Sequence, residues 1–220
     1  ETKKLTWDQL LDALECNWEG KEAVRQICLN APKYGNGIEW VDIIGYQIQR
    51  TVMEYAHRHP RPHGQSANMR IIPITFHNPC GKVTMATPNG RPAGEYLSDG
   101  IVPSHGCDTK GPTVTLQSIA RATCHIYKEH REDLLNMKMA PANVAGEEGT
   151  RRLMQLIRAW SSQKHAHIQF NILNRQSLLE AQKNPEKYRD LVVRVAGYCA
   201  YFTDLSPSQQ AEIIARTEEQ

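Results

Sequence analysis

In the stretch Val193-Arg194-Val195-Ala196-Gly197-Tyr198, a glycine closes a short, mostly apolar run that starts at Leu191. Residues 191–196 have the composition of a buried β-strand, and a glycine at the end of such a run is commonly nothing more than a tight turn. Apolar side chains flank the glycine on both sides: Val192, Val193, Val195 and Ala196 before it, Tyr201 and Phe202 after it. Immediately upstream, residues 177–183 carry a helical pattern and residues 167–173 alternate as a strand. Farther back, Leu153, Leu156, Ile157 and Trp160 fall on one stripe of a helix over 149–160, and helical periodicity also covers 115–125.

Residues 87–115 are dominated by glycine and proline, as in Pro88-Asn89-Gly90-Arg91, Ser98-Asp99-Gly100 and Gly111-Pro112-Thr113. So long a stretch without periodicity is either functional or disordered. Its apolar anchors Met85, Tyr96, Leu97, Ile101 and Val102 favour an ordered loop packed over something. Residues 71–76 have the β-branched content of a buried strand ending near Asn78-Pro79. A helix runs to about His57, where His57-Arg58-His59-Pro60-Arg61-Pro62-His63-Gly64 breaks it. Residues 5–28 fit two short helices broken near Gly20, the first with Thr6 as N-cap and Gln9 completing a capping box. Helices and strands interleave along the chain, which is an α/β pattern.

The 220 residues carry 26 Lys and Arg against 24 Asp and Glu, a net charge of +2 that argues against a polyanion-coating protein. A hydrophobic share of 40% and a charged share of 23% exclude a disordered, collagenous or disulfide-scaffold chain. Apolar runs are only a few residues long, so no transmembrane helix is expected. The start, Glu1-Thr2-Lys3-Lys4-Leu5, has no initiator Met and no apolar h-region, and the expectation is excision from a longer chain. Six cysteines, at positions 16, 28, 80, 107, 124 and 199, form no C-x-x-C pair and read as free thiols in a reducing cytoplasm. His57/His59 and His165/His167 lack a partner Cys or carboxylate at a set spacing, so no metal site is expected. The basic run 57–64 has no interleaved aromatics and reads as a solvated loop, without a nucleic-acid partner.

The glycine stretch is preceded by Asn184-Pro185-Glu186-Lys187-Tyr188-Arg189-Asp190-Leu191 and followed by Leu205-Ser206-Pro207 and Ile213-Ile214-Ala215-Arg216-Thr217. Together these closely resemble the C-terminal glycyl radical domain of the glycyl radical enzymes, the pyruvate formate-lyase-like superfamily. Further segments resemble the same family's catalytic subunit, in the same order: Ala31-Pro32-Lys33-Tyr34-Gly35-Asn36, Gly90-Arg91, Leu97-Ser98-Asp99-Gly100, Asp108-Thr109-Lys110-Gly111-Pro112-Thr113, Leu134-Leu135-Asn136 and His167-Ile168-Gln169-Phe170-Asn171. The resemblance covers essentially the whole chain. Residues 161–166 lack the glycine pair that often precedes the His-Ile-Gln-Phe-Asn strand, and Gly37-Ile38-Glu39 replaces the usual acidic run. Both departures point toward the dehydratase and decarboxylase branches and away from pyruvate formate-lyase itself.

The resemblance implies the C-terminal portion of a ten-stranded α/β barrel over 1–165, with long ordered loops, and a glycyl radical domain over 166–220 ending in a C-terminal helix. It implies that Gly197 stores a radical installed by a separate S-adenosylmethionine activating enzyme with an iron-sulfur cluster. Glycine suits that role because an α-carbon without a side chain can flatten and share its unpaired electron with the flanking amides. The radical would pass to a cysteine, whose thiyl cleaves a C–O, C–C, C–N or C–S bond in a small organic substrate without a bound cofactor. Family members carry that cysteine as Cys-x-Glu or as adjacent cysteines. None of the six here has either context, so it is expected elsewhere in the catalytic subunit or on a partner chain. Cys199 reads as a small buried residue. The strand over 72–77 resembles one lining the substrate pocket, which makes Thr75, Phe76 and His77 candidate substrate contacts; Ile74 and Phe76 read equally well as core and His77 as a strand end. The resemblance also implies a cytoplasmic homodimer. The alternative is a stand-alone radical-carrying subunit that complements a partner chain.

Overall fold

The computed structural model describes residues 4–59, 62–64, 71–72, 75–123, 131–195 and 198–217. They divide into two units, one of Glu1–Pro32 with Thr75–Leu97 and one of Lys33–Ile74 with Ser98–Gln220.

In the first unit, α1 (Trp7–Glu15) starts at the expected capping box. The Gln9 N–H donates to Thr6 Oγ1 and the Thr6 N–H donates to Gln9 Oε1, which gives two backbone donors at the helix start a partner. The chain reverses through Asn17, Trp18 and Gly20, all at positive φ, into α2 (Glu22–Leu29). Trp18 is buried with Ala13, Cys28 and Ala86, and its Nε1–H donates to Arg91 O at 3.2 Å. Arg91 in turn donates to the Pro92, Glu95 and Thr84 carbonyls, so one guanidinium organises a segment that has little regular structure of its own. The last helix of this unit is α4 (His77–Val83), and the described residues of the strand expected over 71–76 form none, Ile71 and Ile72 having no regular structure. Thr75 and Phe76 form a turn, and the strand reading also falls on Pro73 and Ile74, which lie outside the described residues. Proline is tolerated in a first helical turn, where an amide proton has no intrahelical partner, so Pro79 starts this helix where it suggested a strand end.

The second unit contains α3 (Glu39–Arg58), α5 (Pro112–Thr123), β1 (Arg131–Met139), α6 (Gly146–Ser162) and β2 (His165–Ile172), followed by α7 (Arg175–Lys183), β3 (Val192–Arg194), β4 (Cys199–Tyr201) and α8 (Pro207–Thr217). β1 and β2 pair in parallel, Leu135 opposite Ile168 and Met137 opposite Phe170, with α6 as the connection between them. Strand β1 alternates apolar and polar over Leu135-Asn136-Met137-Lys138-Met139. Leu135, Met137 and Met139 enter a core with Leu116, Ile119 and Trp160, while Asn136, facing the other way, donates to the buried Asp99 carboxylate at 2.9 Å. A second cluster, of Leu178, Ala181, Val193, Val195, Phe202, Ile213 and Ile214, joins α7, α8 and the β3–β4 hairpin.

The long loop is ordered, as expected. Its anchors are Ile101 and Val102, whereas Met85 is exposed. What holds it is a stapling segment at 34–37. Tyr34 Oη donates to Ile101 O, Asn36 Oδ1 accepts from the Thr109 N–H at 3.0 Å, and the Gly37 N–H donates to Ser118 Oγ on α5. Gly35 sits at φ +97°, and a Cβ there would lie 2.4 Å from Pro103 Cγ. Left-handed strain and overpacking therefore add, and Gly35→Ala should destabilise the protein by about 2–4 kcal/mol, read as a lower urea midpoint.

Candidate functional site

The hairpin around position 197 is built from alternation. Phe202 N–H donates to Leu191 O at 2.8 Å and Val195 N–H to Tyr198 O at 3.0 Å, with Val193 opposite Ala200 between them. In an antiparallel ladder every second residue turns its N–H and C=O away from the partner strand. Val192 and Arg194 are those residues here. Their neighbours Val193 and Val195, with Phe202, are buried in the second core cluster. Val192 and Tyr201, a cross-strand pair, are each 49% exposed. The described apolar flanks are thus divided between two faces.

The outward-turned backbone of Arg194 is met by a side chain from β2. Asn171 Nδ2 donates to Arg194 O at 2.9 Å, and the Arg194 N–H donates to Asn171 Oδ1 at 3.1 Å. A carboxamide sets a donor beside an acceptor, as a peptide unit does, so Asn171 replaces one rung of a strand that is not there. Two such bonds contribute about 1–3 kcal/mol together. The Arg194 side chain reinforces them: its Nε–H donates to Gln169 Oε1, and its Nη1 to Cys199 Sγ at 3.3 Å. Gln169 Nε2 lies 3.0 Å from His167 Nε2. Residues 167, 169 and 171 share one face of β2 by its period of two, while Ile168 and Phe170 pack on the core beneath. A groove of about 400 Å³ runs beside the hairpin, bounded by Gln169, Asn171, Val192, Arg194 and Cys199.

Gly197 and Ala196, the two residues between Val195 and Tyr198, lie outside the described residues. Cys199 is exposed and not the buried residue expected, because it stands on the face of Val192-to-Tyr201 opposite the core. Cys28 is buried, Cys16, Cys80 and Cys107 are partly buried, and Cys124 is outside the described residues. Thr75, Phe76 and His77 belong to the first unit. Phe76 is 63% exposed, and His77 is buried at the start of α4, where its carbonyl accepts from the Leu97 N–H. His165 stacks on Trp160 with ring centroids 3.7 Å apart, which accounts for it as a core residue. Among the described residues no group of three His, Cys, Asp or Glu side chains is placed to hold a metal ion, and no helix is long and apolar enough to cross a membrane. A separate, mostly apolar cavity of about 240 Å³ beside β1 has Asp108, Asn136 and Lys138 among its lining, and burial pushes the Asp108 carboxyl above the usual carboxylate range.

Sequence reasoning picked out the segment carrying Gln169 and Asn171 but assigned neither a role. The available signal was polar residues alternating with Ile168 and Phe170 in a strand whose apolar face is already accounted for.

Two family models match the chain: one described as pyruvate formate lyase-like over residues 1–81, and one described as glycine radical over residues 97–203. The chain is 47% identical to an isethionate sulfite-lyase of Oleidesulfovibrio alaskensis over 99% of its own length and 26% of the relative's. It is 41% identical to a trans-4-hydroxy-L-proline dehydratase of Clostridioides difficile, over 100% of this chain and 28% of that one. The fold is similar to that of the glycerol-bound B12-independent glycerol dehydratase from Clostridium butyricum, with a TM-score of 0.89 and 38% identity over 98% of this chain and 27% of that chain. The chain therefore spans about a quarter of the length of these relatives.

His167 yields a pH prediction. Burial, and then the Arg194 charge, hold its imidazole below the usual 6.5. The folded state thus binds this proton less readily than the unfolded chain does. The stabilisation is present above about pH 6.5 and is lost as pH falls through the depressed value. Thermal melts at pH 7.5 and 5.5 should show the wild type losing more stability on acidification than His167→Gln.

Proposed function

The chain belongs to the glycyl radical enzymes of the pyruvate formate-lyase-like family, and from that membership we propose that Gly197 stores the catalytic radical of a lyase acting on a small organic substrate. The observation that carries this reading is the hairpin closure. Val195 and Tyr198, the described residues on either side of Ala196 and Gly197 in sequence, pair directly, and the strand before them is buried through Val193 and Val195 and latched to β2 through Arg194. Connections that short select glycine on conformational grounds as well. Storage adds a second demand on the same residue, an α-carbon free to become planar.

An activating enzyme of the radical S-adenosylmethionine type removes one α-hydrogen atom from Gly197. In each turnover the glycyl radical takes a hydrogen atom from a cysteine thiol. The S–H bond breaks, the Cα–H bond forms, and the unpaired electron moves to sulfur. The thiyl then attacks the substrate and the sequence reverses at the end of the cycle. None of the six cysteines is followed by another cysteine or stands two residues before a glutamate, so the acceptor is assigned to residues beyond these 220. Thr75 and Phe76, with buried His77 as support, are assigned to substrate contact. Residues 166–220 are assigned to the radical domain and 1–165 to the barrel. The reaction class is cleavage of a C–O, C–N, C–C or C–S bond, and the sulfite-lyase and dehydratase names of the relatives fit its C–S and C–O members. The pyruvate formate lyase-like match over residues 1–81, outside the radical segment, favours this reading over a stand-alone radical carrier, and an oxygen-sensitive radical suits the cytoplasm of an anaerobic cell.

Anaerobic incubation with a matched activating enzyme and S-adenosylmethionine should give the doublet of a glycyl radical by electron paramagnetic resonance, and Gly197→Ala should abolish both the doublet and turnover. A doublet that persists in Gly197→Ala would overturn the assignment.

A further inference from the structure

Asn171 makes no use of its amide within its own strand. Both polar atoms are spent on the backbone of Arg194, three residues before Gly197. The ladder alternation leaves the Arg194 N–H and C=O pointing away from β4. A side chain that satisfies both must offer a donor and an acceptor at peptide-like spacing, which a carboxamide does. A carboxylate would present two acceptors, one of them against Arg194 O, and an apolar residue would present neither.

The pair is also directional. It fixes β3 along its length against Asn171, because a shift of one residue would bring Val193 or Val195 to the amide, and those residues turn their backbone groups toward β4. The Gln169 bond to Arg194 Nε grips the same residue from two positions earlier on β2, so backbone and side chain of Arg194 are registered together. The two bonds from Asn171 therefore set where Arg194 and β3 fall relative to the β1–β2 sheet, whereas the cluster of Val193, Val195 and Phe202 sets only which face is buried.

We propose that Asn171 is a positioning residue for radical transfer: by holding Arg194 in register on β2, it fixes the strand that leads to Gly197 in sequence, as hydrogen-atom exchange with the acceptor thiol requires. The inference rests on the reading of Gly197 given above. Hydrogen-atom transfer needs near-contact geometry, and a misplacement of about 1 Å can cost on the order of 100-fold in rate. Storage of the radical has no such requirement, so the two functions separate in a variant that keeps the hairpin and loses the register.

The test uses the full natural polypeptide, activated with its cognate activating enzyme, as wild type, Asn171→Ala and Asn171→Asp. Spins per polypeptide are counted by electron paramagnetic resonance, and kcat per spin and KM are measured on the same samples. The expected result is a retained doublet in both variants, kcat per spin at least tenfold lower, and KM within twofold of wild type. A residue that only stabilises the fold would lower the number of spins with the folded fraction and leave kcat per spin unchanged, and that outcome overturns the proposal. Loss of the doublet from a folded variant also overturns it, because Asn171 would then serve storage and not transfer. If Asn171→Ala fails to fold, Asn171→Asp, which keeps shape and acceptor, decides by the same criterion. A wild-type sample that never develops the doublet sinks the reading of Gly197 itself.

Discussion

Arg194 turns its backbone N–H and C=O away from β4, and the Asn171 carboxamide meets both. Most of what is distinctive in the second unit can be traced to the need to bring that amide to that backbone. For Asn171 to face the hairpin, β2 must present its odd-numbered residues there and bury Ile168 and Phe170 on the other side. That face is set by the parallel pairing with β1 and by Trp160 of α6, whose Nε1–H donates to His167 O at 3.1 Å. Strand β3, only three residues long, is too short to hold its place by its own ladder. Its fixation comes from the side chain of a neighbouring strand above and from the α7–α8 cluster beneath.

Two kinds of constraint therefore act on the hairpin. Burial of Val193, Val195 and Phe202 is strong and non-directional, and at roughly 1.5–3 kcal/mol per fully buried large side chain it outweighs the two hydrogen bonds in stability. It would tolerate small slides along the strand. The hydrogen bonds are weaker in stability but specify position along the strand, which apolar packing does poorly. The same division recurs at the long loop, where Ile101 supplies burial while Tyr34, Asn36 and Gly37 supply position.

Much of this was legible in the residues. The Thr6 and Gln9 capping box, the break near Gly20, the helices ending near His57 and at Trp160, and the strand over His167 to Leu173 follow local rules, and local rules suffice where an element's ends are capped and one of its faces is wet. Strand β1 escaped notice because its alternation covers only Leu135 to Met139 and follows a charged start, Arg131-Glu132-Asp133, that does not read as strand. The segment before α4 misled in the opposite direction: Ile71 and Ile72 look like a strand, and Ile71 does exchange bonds with the start of β1, its N–H donating to Asp133 Oδ1 and its carbonyl accepting from the Leu134 N–H. By Thr75 the chain has turned, a choice made by contacts such as Leu97 on His77, which lie outside any short window. At the site, resemblance located Gly197, but the roles of Asn171 and Gln169 depend on which backbone groups the hairpin leaves unpaired. That is a property of register, and register is not written in one strand alone. The exposure of Cys199 has the same origin, since the rung that buries Val193 and Ala200 on one side places Arg194 and Cys199 on the other.

Whether the radical resides at Gly197 can be read from the backbone itself. Oxygen admitted to the activated enzyme should sever the chain at the radical carbon, and mass spectrometry of the products locates the break to a residue. The account predicts cleavage at Gly197, in an amount equal to the spins present before exposure and absent without activation. Cleavage at another glycine, or an activated enzyme that loses its signal in air with the chain intact, would contradict it.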